Sequence, residues 1–443
     1  MTDVTMRKEP IDRWLVDPMQ RFLSHSSMSG IVLFSAALIA LILSNSPWSE
    51  AFHHFWEIKF SIGFSHWQLS KSLHHWINDG LMALFFFVVG LELKREMISG
   101  ELSQPRNAIL PIVAAIGGMV VPAGLYFILN PSGESAGGWG IPMATDIAFA
   151  LGILFLLGDR VPVSLKIFLT ALAIADDLGA VLVIAFFYTS EIDVPSLLLG
   201  LGFLCVLIIG NKIGIRSALF YGIIGIGGLW LAFLLSGIHA TIAAVLAAFT
   251  IPARVKYDEN TYNTKLEALC VGFKNACPNN FSTVTTEQLH ILNDIRTISK
   301  LALTPLQRLE HALHPLVAFV VMPIFALANT GMTFSSDSLT QLTSPITQGV
   351  FLGLLLGKML GVVGFVSLFV KLKWAVLPED FTGPLLIGAG FLAGVGFTMS
   401  LFIAELAFTS QVFVEEAKLG ILLASLVSGL LGYFIIKSQV VKL

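Results

Sequence analysis

The sequence predicts an all-α polytopic membrane protein of about twelve transmembrane helices, and three observations predict it. Hydrophobic residues make up 55% of the chain and charged residues 12%, with a mean hydropathy of +0.82, a balance that leaves too little polar surface for a water-soluble domain. Apolar stretches long enough to cross ~30 Å of hydrocarbon recur from residue 28 to residue 436. The connections alternate in basicity: with both termini in the cytoplasm, the 26 Lys and Arg lie on that side except Lys59, Lys71 and Lys418, which fall outside, and Lys358, which sits within an apolar run.

The first 27 residues are polar and charged and read as a cytoplasmic segment. No small-residue cleavage site follows the apolar run 28–47, so it is retained as the first span. Further spans follow at 73–98, 108–129, 138–157, 164–189, 195–211, 217–236 and 237–251, the last short and divided from its neighbour only at Ser236-Gly237. Helices one to eight thus occupy 28–252. A cytoplasmic loop fills 253–313, helices nine to twelve fill 314–437 with spans at 314–331, 347–370, 382–409 and 416–436, and 438–443 is a cytoplasmic tail.

Between the first two spans, Phe60, Ile62 and Phe64 alternate, and the parity then changes to Trp67 and Leu69 around Ser65-His66. That period-two pattern predicts a small outer β-hairpin over 58–70, which is marginal alone and is expected to pair with something else. The inner segment 254–311 is polar and basic, with one amphipathic candidate at 287–303, and reads as a cytoplasmic cap or a disordered insert. A net charge of -3 gives no reason to expect nucleic acid, and three cysteines are too few for a disulfide framework.

Two spans are punctuated. Gly140, Pro142 and Gly152 flank Ala-Thr-Asp-Ile-Ala in the fourth, and Gly383, Pro384, Gly388, Gly390, Gly394 and Gly396 crowd the eleventh. Paired interruptions point to broken helices whose freed backbone groups line a cavity. Because an odd number of spans separates them, the two run in opposite directions, which is the arithmetic of an inverted repeat.

Chemistry concentrates in the fifth span, where Asp176 and Asp177 stand side by side. An Asp at mid-bilayer costs roughly 2.5–3.5 kcal/mol, so the pair costs of the order of 5–7 kcal/mol without a partner. Neighbours on a helix diverge by about 100°, so one Asp can face a cavity while the other meets a counter-ion. Lys358 is the natural counter-ion, and a buried structural ion pair is the plain alternative for it. Asp146 and Thr145 add oxygen ligands at the fourth-span break, of the kind that suits hard cations and protons. There Asp146 would offset the positive ends of broken helices and Lys358 the negative ends, although a helix-capping Asp is equally consistent with the residue type. Asp79 lies about two turns inside the outer face, and Glu92 and Glu96 close the same span at the inner face. The outer histidines (His53, His54, His66, His74, His75) lack zinc spacing and read as interfacial.

Ala-Thr-Asp-Ile-Ala-Phe-Ala, Ala-Asp-Asp-Leu-Gly-Ala, Gly-Leu-Glu-Leu-Lys-Arg-Glu, Arg-Leu-Glu-His-Ala-Leu-His-Pro, Pro-Ile-Phe-Ala-Leu-Ala-Asn and Gly-Phe-Leu-Ala-Gly-Val-Gly-Phe-Thr-Met-Ser, in this order along the spans apart from the first Gly-Leu-Glu segment, resemble the NhaA family of bacterial sodium/proton antiporters. The resemblance implies twelve helices with crossed, broken fourth and eleventh members, and electrogenic exchange of two protons per Na+ or Li+ by alternating access in a bacterial inner membrane, serving pH homeostasis. It implies a transporter without cofactors, not an enzyme, and a homodimer formed through the outer hairpin. By position Asp177 is the main cation ligand, Asp176 the second titrating carboxylate paired with Lys358, and Thr145 and Asp146 supporting residues. The family's pH response maps onto Glu92, Glu96, Glu310, His311 and His314, with His239 a weaker candidate.

Three departures stand out: Met359 follows Lys358 where relatives often carry Pro, the eleventh span carries an extra Glu405, and 254–311 is longer than the usual loop. A sodium-coupled symporter on the same fold is one rival. An intramembrane aspartyl protease is another, but its Gly-x-Gly-Asp signature is absent.

Overall fold

The computed structural model describes residues 26–64, 67–189, 192–276, 283–334, 338–378 and 380–440. The expected N-terminal segment up to residue 25, the hairpin tip Ser65-His66, Cys277 and the last three residues of the tail lie outside these.

Helix α1 (Ser26–Ser44) turns by 115° into α2 (Ser49–Glu57), a short arm carrying Phe52, His53, Phe55 and Trp56. Strands β1 (Lys59–Phe64) and β2 (Trp67–Ser72) pair antiparallel with Phe64 opposite Trp67, so the connection is two residues long. Ser61 bonds Ser70 across the ladder at 2.8 Å, and Trp76 donates from its indole to the Phe60 carbonyl at 2.9 Å, tying the hairpin to the helix that follows.

The membrane-length helices are α3 (Leu73–Ser99), α4 (Pro105–Leu129), the fourth span with α5 (Ile147–Leu156) as its second half, α6 (Val163–Phe187), α7 (Val194–Ile213) and α8 (Ala218–Ser236). At the Ser236-Gly237 boundary Gly237 adopts φ +82, a left-handed conformation that ends α8, and α9 (Ala240–Thr250) starts three residues on. Then come α10 (Glu259–Asn275), α11 (Thr286–Ala302), α12 (Pro305–Asn329), α13 (Pro345–Lys371), the bent pair α14 (Gly383–Ala393) and α15 (Phe397–Ala407), and α16 (Gln411–Val440). Among the described residues nine helices qualify as spans by length and composition, and up to eleven when each bent pair counts as one. The chain is thus an all-α, multi-pass membrane protein with a two-stranded appendage. Ile42, Phe186, Leu198 and Leu219 are exposed on its helices, as lipid-facing side chains are.

Two expectations change. The ninth helix starts at Pro305, not near 314, because Thr304 and Gln307 form a reciprocal capping box and Pro305 takes the first turn. Glu310, His311 and His314 therefore sit on the helix itself. Lys418 is buried, not at a water-facing helix end: α16 begins at Gln411, leaves Lys418 5% exposed and pairs it with Glu405 at 2.8 Å, so Lys358 is not the one lysine within the apolar spans. In the inner segment, α10 and α11 pack on one another, with the Tyr262 and Ser299 hydroxyls 3.2 Å apart.

Candidate functional site

The fourth span is not one helix. Residues Glu134–Met143 run as 3-10 turns, Ala144, Thr145 and Asp146 are extended, and α5 begins at Ile147. The eleventh bends by 43° between Ala393 and Phe397. The two breaks meet. The main-chain N–H of Asp146 donates to the Val395 carbonyl at 2.7 Å, and Ser400 donates to the Ile141 carbonyl at 2.8 Å, so groups released from one helix find partners in the other.

Asp146 joins two helix starts. Its Oδ1 accepts the Phe149 N–H at 3.0 Å, capping α5, and its Oδ2 accepts the Thr398 N–H at 3.1 Å together with the Thr398 hydroxyl. Both N-terminal half-dipoles thus point at one carboxylate, the arrangement that favours negative charge. Both of its oxygens are engaged.

Asp176 and Asp177 lie in the middle of α6, and both are buried. Asp176 Oδ2 accepts from Lys358 Nζ of α13, and neither side chain is exposed. The Thr145 hydroxyl stands 2.6 Å from the same oxygen and 2.8 Å from the Ala393 carbonyl, and with one proton it serves one acceptor at a time. Oδ1 of Asp176 and Oδ1 of Asp177 are buried without a hydrogen-bond partner. A bare carboxylate oxygen in such surroundings is costly until a proton or a hard cation meets it.

Lys358 reaches Asp176 because α13 and α4 touch backbone to backbone. A Cβ on Gly361 would stand 2.1 Å from the Gly117 carbonyl oxygen, and one on Gly117 would stand 2.3 Å from that of Gly361, so this approach admits only glycine. Lys358 is one turn before Gly361, and a Cβ on Gly118 would lie 3.5 Å from its Nζ.

The expected pH-response residues divide. Arg95 bonds Glu96 at 2.7 Å and Glu310 at 2.9 Å, joining the C-terminal end of α3 to α12. Glu92 is within electrostatic reach of Arg95, Glu96 and Glu310, and Asp177 within reach of Glu92. His314 faces Glu310 and His311, and His311 is exposed. His239 is elsewhere: it precedes α9, its ring lies 5.6 Å from that of Phe402, and its charged neighbours are Asp79 and Lys71. Asp79 itself pairs with Lys71 of the hairpin at 3.5 Å, so it belongs to that end of the molecule.

Reading the sequence missed Thr398, Arg95 and a set of rings in which Phe402 lies 5.5 Å from Phe86 and 6.2 Å from Phe325. Thr398 lies beside the glycine-rich interruption and Arg95 between Glu92 and Glu96, so both had a local signal; the rings had none.

The Na+/H+ antiporter 1 family model matches residues 20–436. A protein of Oleidesulfovibrio alaskensis named Na(+)/H(+) antiporter NhaA is 51% identical over 97% of this chain and 95% of its own length. Na(+)/H(+) antiporter NhaA 1 of Saccharophagus degradans is 48% identical over 96% of this chain and 94% of its own. Na(+)/H(+) antiporter NhaA of Acidithiobacillus ferrooxidans is 51% identical over 94% and 96%.

Proposed function

This chain belongs to the Na+/H+ antiporter 1 family, and we propose on that premise that it exchanges Na+ or Li+ for H+ at Asp176 and Asp177 by alternating access. The observation that carries the reading is the pair of buried, unpartnered carboxylate oxygens beside two crossed helix breaks. A site that must be either protonated or cation-loaded couples the two ions by competition, with no further device. Asp177 is the main cation ligand. Asp176 takes the second titrating role, held against Lys358, and Thr145 can turn its proton between Asp176 and the Ala393 carbonyl as the charge on Asp176 changes. Asp146 holds the crossing together and supplies negative potential, because both its oxygens are already bonded. The Glu92, Glu96, Glu310, His311 and His314 group around Arg95 adjusts the response to pH at the inner end, and His239, beside Phe402, acts apart from it.

We place the protein in a bacterial inner membrane with both termini and the α10–α11 pair in the cytoplasm, exchanging two protons per cation, and as a dimer through the hairpin, where Phe60 and Ile62 are more than half exposed. An organic co-substrate has no comparable support: a cavity of about 930 Å³ between α3, α8 and the hairpin is apolar and is lined by none of Asp146, Asp176, Asp177 or Lys358.

The test is exchange in everted vesicles carrying an imposed proton gradient. Na+ or Li+ should dissipate the gradient and K+ should not. If no alkali cation does so at any pH from about 6 to 9, the reading is wrong.

A further inference from the structure

Two donors converge on Oδ2 of Asp176, the Lys358 ammonium and the Thr145 hydroxyl. When Na+ or a proton takes that oxygen, both donors need another acceptor, because an unpaired polar group in an apolar interior is costly. For Thr145 the other acceptor is the Ala393 carbonyl, 2.8 Å from its hydroxyl. That carbonyl is open because the break in the eleventh span diverts its helical donor: the Phe397 N–H, four residues on, donates to Ser425 Oγ of α16 at 3.1 Å.

Lys358 stands against a carbonyl of the same kind. In α4 the N–H that would close the helical bond to the Gly118 carbonyl belongs to residue 122, and residue 122 is proline, which has none. A main-chain carbonyl stripped of its donor inside a membrane needs a replacement. Gly118 is the α4 residue beside Lys358, where a Cβ would lie 3.5 Å from both Cδ and Nζ of the lysine. The register is held on both sides of this contact. Gly361 meets Gly117, and a Cβ on Gly357 would come within 2.8 Å of the Pro122 Cα. The residue that frees the carbonyl therefore also belongs to the contact that sets Lys358 opposite it. An ammonium carries three N–H donors, and the bond to Asp176 uses one of them.

We propose that the Gly118 carbonyl is the second acceptor of Lys358, and that Gly118 and Pro122 are positioning residues for the exchange. As Na+ or a proton arrives at Asp176, the ammonium transfers its hydrogen bond from the carboxylate to this carbonyl while Thr145 turns to Ala393. Asp176 then gives up both donors without stranding either. Lys358 keeps its proton in surroundings where an ammonium without an acceptor is expensive. The inference rests on the exchange reading and adds to it where the displaced donors go.

The test is Pro122→Ala, which supplies an N–H to the Gly118 carbonyl and keeps the Cβ that faces Gly357. With the second acceptor occupied, Lys358 holds Asp176 more tightly against Na+. The Na+ dissociation constant read by calorimetry and the Na+ KM should both rise about tenfold, the worth of one hydrogen bond to a charged group, with kcat changed less. Melting should not fall, because alanine is the better helix former. A wild-type dissociation constant, or a raised one accompanied by a lower melting temperature, overturns the proposal. Should Pro122→Ala fail to fold, Pro122→Gly supplies the same N–H, with the same shift in Na+ affinity expected.

A second measurement needs no transport. Asp176→Asn leaves Lys358 dependent on the Gly118 carbonyl, so this change should lower the melting temperature further in the Pro122→Ala background than in the wild type. Additive shifts overturn the second acceptor. A wild type that neither binds nor exchanges Na+ overturns the exchange reading instead, and the melting cycle then judges the acceptor alone.

Discussion

The main-chain N–H of Asp146 donates to the carbonyl of Val395 at 2.7 Å, joining the break in the fourth span to the break in the eleventh, although 248 residues lie between them in the chain. A break in a transmembrane helix exposes backbone groups that lipid cannot satisfy, and here each break is the other's solvent. Motion of either half-helix must therefore rearrange bonds in both, close to the Asp176 and Asp177 carboxylates.

Asp177→Asn should abolish exchange and Na+ binding while the fold survives, since the amide neither takes up a proton nor presents a charged oxygen. Isothermal calorimetry on the purified variant would read the loss of Na+ binding, and a wild-type affinity would remove Asp177 from the site.

Lys358→Ala should destabilise the protein by about 3–5 kcal/mol, because it strands the Asp176 carboxylate in the core. Adding Asp176→Asn should recover much of that stability without recovering transport. In the single variant the pH midpoint of exchange should move to higher pH, because a carboxylate without its cation holds its proton longer. Melting curves of the three proteins decide it: equal melting of wild type and Lys358→Ala would mean that the pair contributes nothing.

Thr398→Val removes the hydroxyl that donates to Asp146 but keeps the main-chain donor. The expected cost is about 1.5–3 kcal/mol for a bond to a charged acceptor, with slower exchange, and Thr398→Ser should restore both. Failure of Ser to rescue would point to the methyl group, not the hydroxyl.

His311→Gln together with His314→Gln should flatten the dependence of apparent Na+ affinity on pH. A protonated histidine beside the Arg95 cluster repels Na+, and a neutral ring does not. Removing them should raise Na+ affinity near pH 6 and leave it unchanged near pH 9. Affinity curves that overlay the wild type across that range would assign the whole pH response to proton competition at Asp176 and Asp177.

Most of the spans, the Ser236-Gly237 boundary and the two broken segments were legible in the sequence, because bilayer thickness and backbone satisfaction write themselves into local composition: runs of apolar residues, and Gly and Pro where a helix must stop. The cost of burying charge likewise singled out Asp176, Asp177 and Lys358 before any fold was known, since a charge inside an apolar run demands a partner. The same rule did not foresee the burial of Lys418. It stood near the end of an apolar run, where a lysine can equally well reach water, and only the approach of Glu405 from another helix made its burial tolerable. The helical start at Pro305 could have been read from Thr304 and Gln307, but polar composition outweighed the cap.

What tertiary structure alone decided is which groups share an oxygen or a side of the molecule. Asp176 with Lys358 and Thr145, Asp146 with Thr398, Arg95 between Glu96 and Glu310, and His239 away from the other histidines are all consequences of helix packing. Composition reports how each residue partitions between lipid and water, which is local. The rotation and contact of helices depend on features such as the Gly117–Gly361 approach, whose partners are distant in the chain and become neighbours only when the helices pack.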